Sequence, residues 1–325
     1  MTSVPSSPSG PSVPVIAGAI AAAIGMGALV AIQSRLNGEL GRRLDDGVVA
    51  ALISFGGGLV VLALGLIVWR PGREGLGRVL GEARHRRIPW WYLVGGAAGS
   101  FLVLSQGVTA ATLGVALFTV GTVCGQTVSA SVVDRVGLGT LRGRPLRLTR
   151  IVGTVLALLA VVFAVSSNIR ADVPVWMLVF PFVAGAGVGW QQAVNGQVRH
   201  YSRSALTAAF VNFTVGTVVL GIASVVVVLI VGAPRALPGQ WWLYLGGPIG
   251  VIFIGGAAAI VHVTGVLLLG LATISGQLVA SVLLDVIVPA PGHEIVATTV
   301  VGTALTLVAV AIAALPARRR APSRA

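Results

Sequence analysis

This sequence has no lysine, one cysteine and only nine carboxylates in 325 residues, and each shortage removes a class of explanation. Cys124 alone cannot close an intramolecular disulfide, and no Cys and His cluster has the spacing of zinc ligands. It reads as a small residue for helix packing. HExxH, the GxSxG nucleophile elbow and the Walker A loop are all missing. The nearest glycine-rich string, Gly75, Gly77 and Gly81, has the wrong spacing and lies among arginines. Metal-assisted hydrolysis, elbow chemistry and direct use of ATP thus have no carrier, so no catalytic residue, metal or cofactor is assigned. Charged residues are 10% of the chain, hydrophobic ones 56%, and the mean hydropathy is +0.96. Such a balance makes lipid rather than water the expected solvent. The opening MTSVPSSPSGPSVP has no positive n-region, so the apolar run after it reads as a retained helix and not a cleaved signal.

What is present is a series of long charge-free stretches: 1–34, 47–69, 88–133, 151–169, 173–198, 204–234, 236–284 and 295–317. A helix needs about 20 apolar residues to cross a hydrocarbon core about 30 Å thick, so the two longest stretches each hold two spans. Residues 109–114 (TAATLG) and 262–265 (HVTG) supply the breaks. Ten spans are therefore predicted, at 15–33, 48–69, 90–109, 113–134, 151–169, 174–195, 206–231, 241–261, 265–285 and 295–315. All 22 basic residues are arginine, and the net charge is +13. They sit in short loops rather than on one soluble face, which argues against nucleic acid. With the N-terminus inside, every arginine except Arg35, Arg42, Arg43, Arg170 and Arg235 falls on the cytoplasmic side. The positive-inside rule then places both termini in the cytoplasm.

The spans repeat. QSRLNG at 33–38 matches QQAVNG at 191–196, and the same register sets Ser54 and Phe55 opposite Asn212 and Phe213. Trp90, Trp91, Gly95 and Gly96 match Trp241, Trp242, Gly246 and Gly247; in that register Gly125 and Gln126 meet Gly276 and Gln277, and Asp134 meets Asp285. IVGT at 151–154 matches VVGT at 300–303. The chain reads as a disordered tail (1–14), a five-helix repeat (15–169), a second repeat (170–315) and a basic tail (316–325). Five spans is an odd number, so the second repeat starts on the opposite face and is inverted. Inverted repeats of this kind are a hallmark of secondary transporters, whose halves exchange conformations around a site near the midplane.

Polar side chains are costly inside a bilayer, so those recurring at matched positions are the first candidates for a pathway. Gln33 and Asn37 are four residues apart, within about 40° on one helix face, and Gln191 and Asn195 repeat that spacing. Amide pairs both donate and accept, which suits a neutral or zwitterionic solute, or equally a clasp between helices. Asn212 adds an amide to the second half. Gln126 and Gln277 each precede an aspartate by eight residues and lie deeper than the acids. Asp134 has Arg135 beside it, whereas Asp285 is followed by Val286, Ile287 and Val288. Both acids are candidates for proton or ion coupling, with a structural carboxylate at the interface as the alternative. His262 reads as an interfacial histidine rather than a proton shuttle. The 44 glycines permit close helix packing or, at the first and sixth helices, bending. Trp90, Trp91, Trp241 and Trp242 read as interface anchors.

QSRLNGELG (33–41), ISFGGG (53–58), PWW (89–91), GQTVSASVVD (125–134) and IVGT (151–154) together resemble one unit of the YdcZ-like family of the drug/metabolite transporter (DMT) superfamily. Two such units are fused here, and the resemblance covers about residues 15–315. It implies an all-α bacterial inner-membrane protein of ten helices, as two inverted five-helix repeats, acting as an exporter with no established substrate. Small multidrug exporters of the wider superfamily rely on a glutamate in their first helix; no carboxylate lies in the predicted first or sixth span here. The expected function is secondary transport of a small metabolite or amphipathic compound by alternating access. Gln33, Asn37, Gln126, Gln191, Asn195, Asn212 and Gln277 would line the route. The expected partners are the solute, protons or another coupling ion, and the bilayer, with a monomer favoured. A non-transporting membrane subunit and an intramembrane enzyme are the alternatives. A reporter fused after Arg320 is expected to report cytoplasm and one inserted at Asp172 the outside; the reverse pattern would overturn the span count.

Overall fold

The computed structural model describes residues 12–113, 115–138, 151–153, 155–156, 159, 163, 175–287, 300–302, 304–305, 307–308 and 312. Among these the regular elements are all helical. Helices α1 (Val13–Leu44), α2 (Gly47–Val68) and α3 (Arg70–Arg84) are followed by a helical turn at Trp90–Leu93 and by α4 (Gly95–Ser105), which runs into a π-helical turn at Gln106–Ala110. Then come α5 (Val115–Val136), α6 (Val175–Ser202), α7 (Ala205–Val231), a 3-10 turn at Trp241–Leu245 and α8 (Gly246–Ile287). Five helical stretches among the described residues are long and apolar enough to cross a membrane: Val13–Leu44, Gly47–Val68, Trp90–Ala110, Ala205–Val231 and Trp241–Val266. The tails at 1–11 and 313–325, the link at 166–174, the loop with His293 and Glu294 and much of the expected fifth and tenth spans lie outside the described residues.

Local chemistry sets the corners. Asp45 and Arg203 both adopt a left-handed backbone, at φ 55° each, and each is followed by a residue that caps the next helix. The Asp46 carboxylate accepts from the Val48 and Val49 amides at 2.8 and 2.9 Å, and the Ser204 hydroxyl accepts from the Thr207 amide at 3.2 Å. The α1–α2 and α6–α7 elbows are thus the same turn built from different residues. α8 breaks at Gly265, whose φ of 76° is open to glycine at little cost. That break falls within the expected 262–265 turn. In its counterpart the π-helical turn runs through Ala110 and Ala111–Leu113 is helical, while Gly114, which matches Gly265, lies outside the described residues.

Two further expectations change. α1 and α6 run past the expected ends at 33 and 195, to Leu44 and Ser202. QSRLNGELG and its match contain no proline, and their glycines pack within the protein, so the amides stay on the helix instead of starting a loop. α1 also carries Glu39 near its end, held by Arg42 at 2.7 Å and Arg43 at 2.6 Å. At 32 residues, α1 is about 48 Å long and exceeds the hydrocarbon thickness. The segment after α2, expected as a loop, forms α3, which buries Gly72, Gly75 and Val79 along one face. Its Arg73 donates to the Leu66 and Ile67 carbonyls, satisfying the last turn of α2.

Contacts at the helix ends fix direction. At the start of α2, the Arg235 amide donates to the Leu44 carbonyl at 2.9 Å and its guanidinium reaches Asp45 at 3.0 Å. At the other end, the Thr207 hydroxyl donates to Gly72 at 2.9 Å, and Arg78 donates to the Ser202 carbonyl at 2.6 and 3.0 Å. α7 therefore begins where α2 finishes, and the two run antiparallel. Between them Phe55 and Phe213, matched positions of the repeat, face each other at 4.8 Å. A Cβ on Gly58 would strike Phe213, and one on Gly216 would strike Phe55.

Two helix crossings bring backbone onto backbone. A Cβ on Gly27 of α1 would overlap the Thr273 carbonyl in the second arm of α8, and one on Gly276 would overlap that of Ile24. The same pair recurs elsewhere: Gly185 of α6 lies on the Thr122 carbonyl of α5, and Gly125 on that of Phe182. All four glycines occupy matched positions. Gly27→Leu and Gly276→Leu are expected to destabilise the protein by about 1–3 kcal/mol or more through overpacking. Gly18→Leu, which meets nothing within 4 Å, should be neutral. Thermal unfolding in detergent micelles would read the difference.

Candidate functional site

Among the described residues the buried polar side chains are all Ser, Thr, Asn or Gln, with no charged group. In a low-dielectric interior each such group needs a partner, and an unmet one costs about 1–3 kcal/mol. The amides therefore divide into those that are satisfied and those that are not.

Three that bond one another form a triad in the second half, with Gln191 Oε1 left unpartnered. Gln191 Nε2 donates to Asn212 Oδ1 at 3.2 Å, and Asn212 Nδ2 donates to Asn195 Oδ1 at 3.1 Å, joining α6 to α7. The matched first-half residues solve the problem differently. Gln33 Nε2 donates to the Gly246 carbonyl at the start of α8, at 2.8 Å. Asn37 Nδ2 donates to Gln106 Oε1 at 2.8 Å, and Gln106 Nε2 donates to Ser34 Oγ at 3.0 Å. These are clasps between helices. Glycine makes room for them: a Cβ on Gly99 would strike the Gln191 amide, and one on Gly250 would lie 2.8 Å from that of Gln33.

Unpartnered buried atoms occur on several helices, among them Asn37 Oδ1 on α1 and the Ser54, Ser105, Thr217 and Ser224 hydroxyls, but whole amide donors without partners lie on α5, α6 and the second arm of α8. Gln126 Nε2 and Gln277 Nε2 are buried without partners, as are the hydroxyls of Thr119 and Thr273. Thr119 and Gln126 are seven residues apart and so share one face of α5. Gln126 meets the second arm of α8 at Gly270, where an added Cβ would lie 3.7 Å from its Nε2. Gln126 and Gln277 fall near the middle of their helical segments, where the bilayer is driest. Gln277 is seven residues from Gly270 and shares its face of α8, so the seam where α5 meets α8 carries amide donors from both helices that have no partner in the protein. The structure separates the predicted residues into two sets: Gln33, Asn37, Gln191, Asn195 and Asn212 in clasps, Gln126 and Gln277 on the seam. Asp134 and Asp285 sit on α5 and α8, and their side chains lie outside the described residues.

Two residues escaped the sequence reading. Gln106 closes the first-half clasp, and Gln192 of α6 is 1% exposed with neither amide atom partnered. Neither has a matched amide: the counterpart of Gln106 is Ala257 and that of Gln192 is Ser34. The π-helical turn beginning at Gln106 is a local feature often found at functional sites.

Comparison with known proteins adds the family. The profile of a family described as "Putative inner membrane exporter, YdcZ" matches residues 18–163 and again 176–312. No curated protein matches the sequence. A solved structure, "Crystal structure of protein", is similar with a TM-score of 0.62 at 18% identity, over 95% of this chain and 100% of that one. That likeness concerns the fold alone.

The division into clasped and free amides is testable by stability. Asn212→Ala strands Gln191 and Asn195 together and is expected to cost about 1–3 kcal/mol. Gln126→Leu removes a group with an unmet donor and should be neutral within about 0.5 kcal/mol, or stabilising. Unfolding midpoints in micelles check both.

Proposed function

The chain belongs to the YdcZ family of membrane transporters, carrying two of its units in tandem, and on that premise we propose that it is a secondary transporter exporting a small neutral polar or amphipathic solute by alternating access. The observation that carries this reading is the seam of unpartnered amides and hydroxyls at Thr119, Gln126, Thr273 and Gln277. A protein that needed these helices only for packing would gain stability from apolar residues there. A route for a polar solute needs groups that are free until the solute arrives. The absence of charge among the described buried side chains favours a neutral solute, since a bare ion would find no counter-charge.

The architecture proposed is ten helices in two inverted five-helix repeats, 15–169 and 170–315, both termini cytoplasmic. The antiparallel run of α2 and α7 and the recurrence of both helix crossings support it. In this scheme the Phe55–Phe213 pair is the pivot about which the halves rock. Gln33, Asn37, Gln191, Asn195 and Asn212 border the route and hold its walls, while Gln126 and Gln277 meet the solute. Asp285, with no arginine adjacent to it in sequence, is the first candidate for proton coupling and Asp134 the second.

Counterflow in liposomes against a metabolite panel, with imposed pH gradients, tests the proposal. Flux of at least one neutral solute is expected, reduced about tenfold or more in Gln126→Leu and Gln277→Leu at unchanged stability. Asp285→Asn should abolish the pH dependence. No flux from folded protein would instead favour a structural subunit.

A further inference from the structure

The two halves differ at Gln106 and its counterpart Ala257, and the difference shows what fits there. In the first half a carboxamide, that of Gln106, is held between α1 and the turn after α4. Its oxygen accepts from Asn37 at 2.8 Å and its nitrogen donates to Ser34 at 3.0 Å. In the second half the matched positions are Asn195, Gln192 and Ala257. Ala257 brings no amide, Asn195 Oδ1 is occupied by Asn212, and both amide atoms of Gln192 are unpartnered at 1% exposure.

The repeat register places Gln192 beside Ala257, as Ser34 stands beside Gln106. One turn further along α6, a Cβ on Gly196 would lie 2.7 Å from Val261 Cγ1, and Val261 is one turn beyond Ala257 in α8. Stepping back one turn on both helices brings Gln192 to the side of Ala257. Gly189, three residues earlier, lies against Ser129 and Ala130 of α5. Gln192 thus lies within about 60° of both contacts, on the side of α6 that meets α5 and the first arm of α8.

We propose that Gln192 is a solute-binding residue whose ligand is a neutral carboxamide taking the place that Gln106 fills in the other half. The pairing is two-point: Gln192 Nε2 donates to the ligand carbonyl, and the ligand amide donates to Gln192 Oε1. A carboxylate of the same shape offers no donor and would bring an unbalanced charge into an interior that holds none among the described buried side chains. This inference rests on the transport reading and narrows its substrate class.

The test uses the full chain in nanodiscs, titrated calorimetrically with benzamide and nicotinamide against benzoate and nicotinate. Both amides are expected to bind and both acids to bind at least about tenfold more weakly. Gln192→Leu should weaken the amides by a similar factor. The double variant Gln192→Ser with Ala257→Gln installs the residues that the first half already accommodates, so it should fold, fill its own gap and lose amide binding. Equal binding of amide and acid, or native amide binding by the double variant, overturns the proposal. If no probe binds while another solute shows counterflow undiminished in Gln192→Leu, the site is wrong and the transport reading stands. Absence of both probe binding and any counterflow removes the two together.

Discussion

Helices in lipid gain nothing from hiding apolar surface from one another, so they must be held by close contact and by polar bonds. This structure depends on the first of these at two places. Gly27 and Gly276 press α1 against the second arm of α8, and Gly185 and Gly125 press α6 against α5. At each, a glycine sits on a carbonyl of the facing backbone, and no other residue could occupy the space. The contacts cross between the two sequence repeats at α1 and α8, and again at α5 and α6, so neither half is complete alone. They also aim the neighbouring faces of α5 and α8, which carry Gln126 and Gln277, toward each other.

With the crossings fixed, the polar groups serve two purposes. The clasps of Gln33, Asn37, Gln191, Asn195 and Asn212 answer one another, the Gln106 side chain or a backbone carbonyl. They tie α1 and α6 to the elements that follow them. The groups on the seam answer nothing in the protein, and their desolvation is a standing cost that the packing elsewhere must offset. Of these groups Gln126 and Gln277 stand at matched positions, so both halves keep such a cost at the same place. Duplication gave the two halves one plan, and divergence at Gln106 and Gln192 gave them different chemistry at one station of it.

Much of the organisation was legible from residues alone. The repeat, the break at Gly265 and the amide and glycine positions all stood in the linear pattern, because span length and glycine spacing are local properties. Other features were not. α3 looked like an arginine-rich loop because its amphipathic face is made of Gly72, Gly75 and Val79, two of which carry no hydropathy signal. α1 and α6 seemed to end at their amides, since polar residues ordinarily mark the edge of a span. Here they face protein rather than lipid. Gln106 and Gln192 were passed over because a search for matched pairs is blind to residues that differ between copies.

The sequence by itself determined that the chain lives in lipid, that it is built twice from one unit, and which amides and glycines recur. These follow from composition and period, which need no knowledge of what touches what. The tertiary structure alone decided which amides are spent in clasps and which are left free. Gln33 and Gln126 are the same side chain in similarly apolar helices. Their difference lies in whether a carbonyl of another helix comes within 2.8 Å, and that is set by crossings between segments more than two hundred residues apart, as from Gln33 to Gly246.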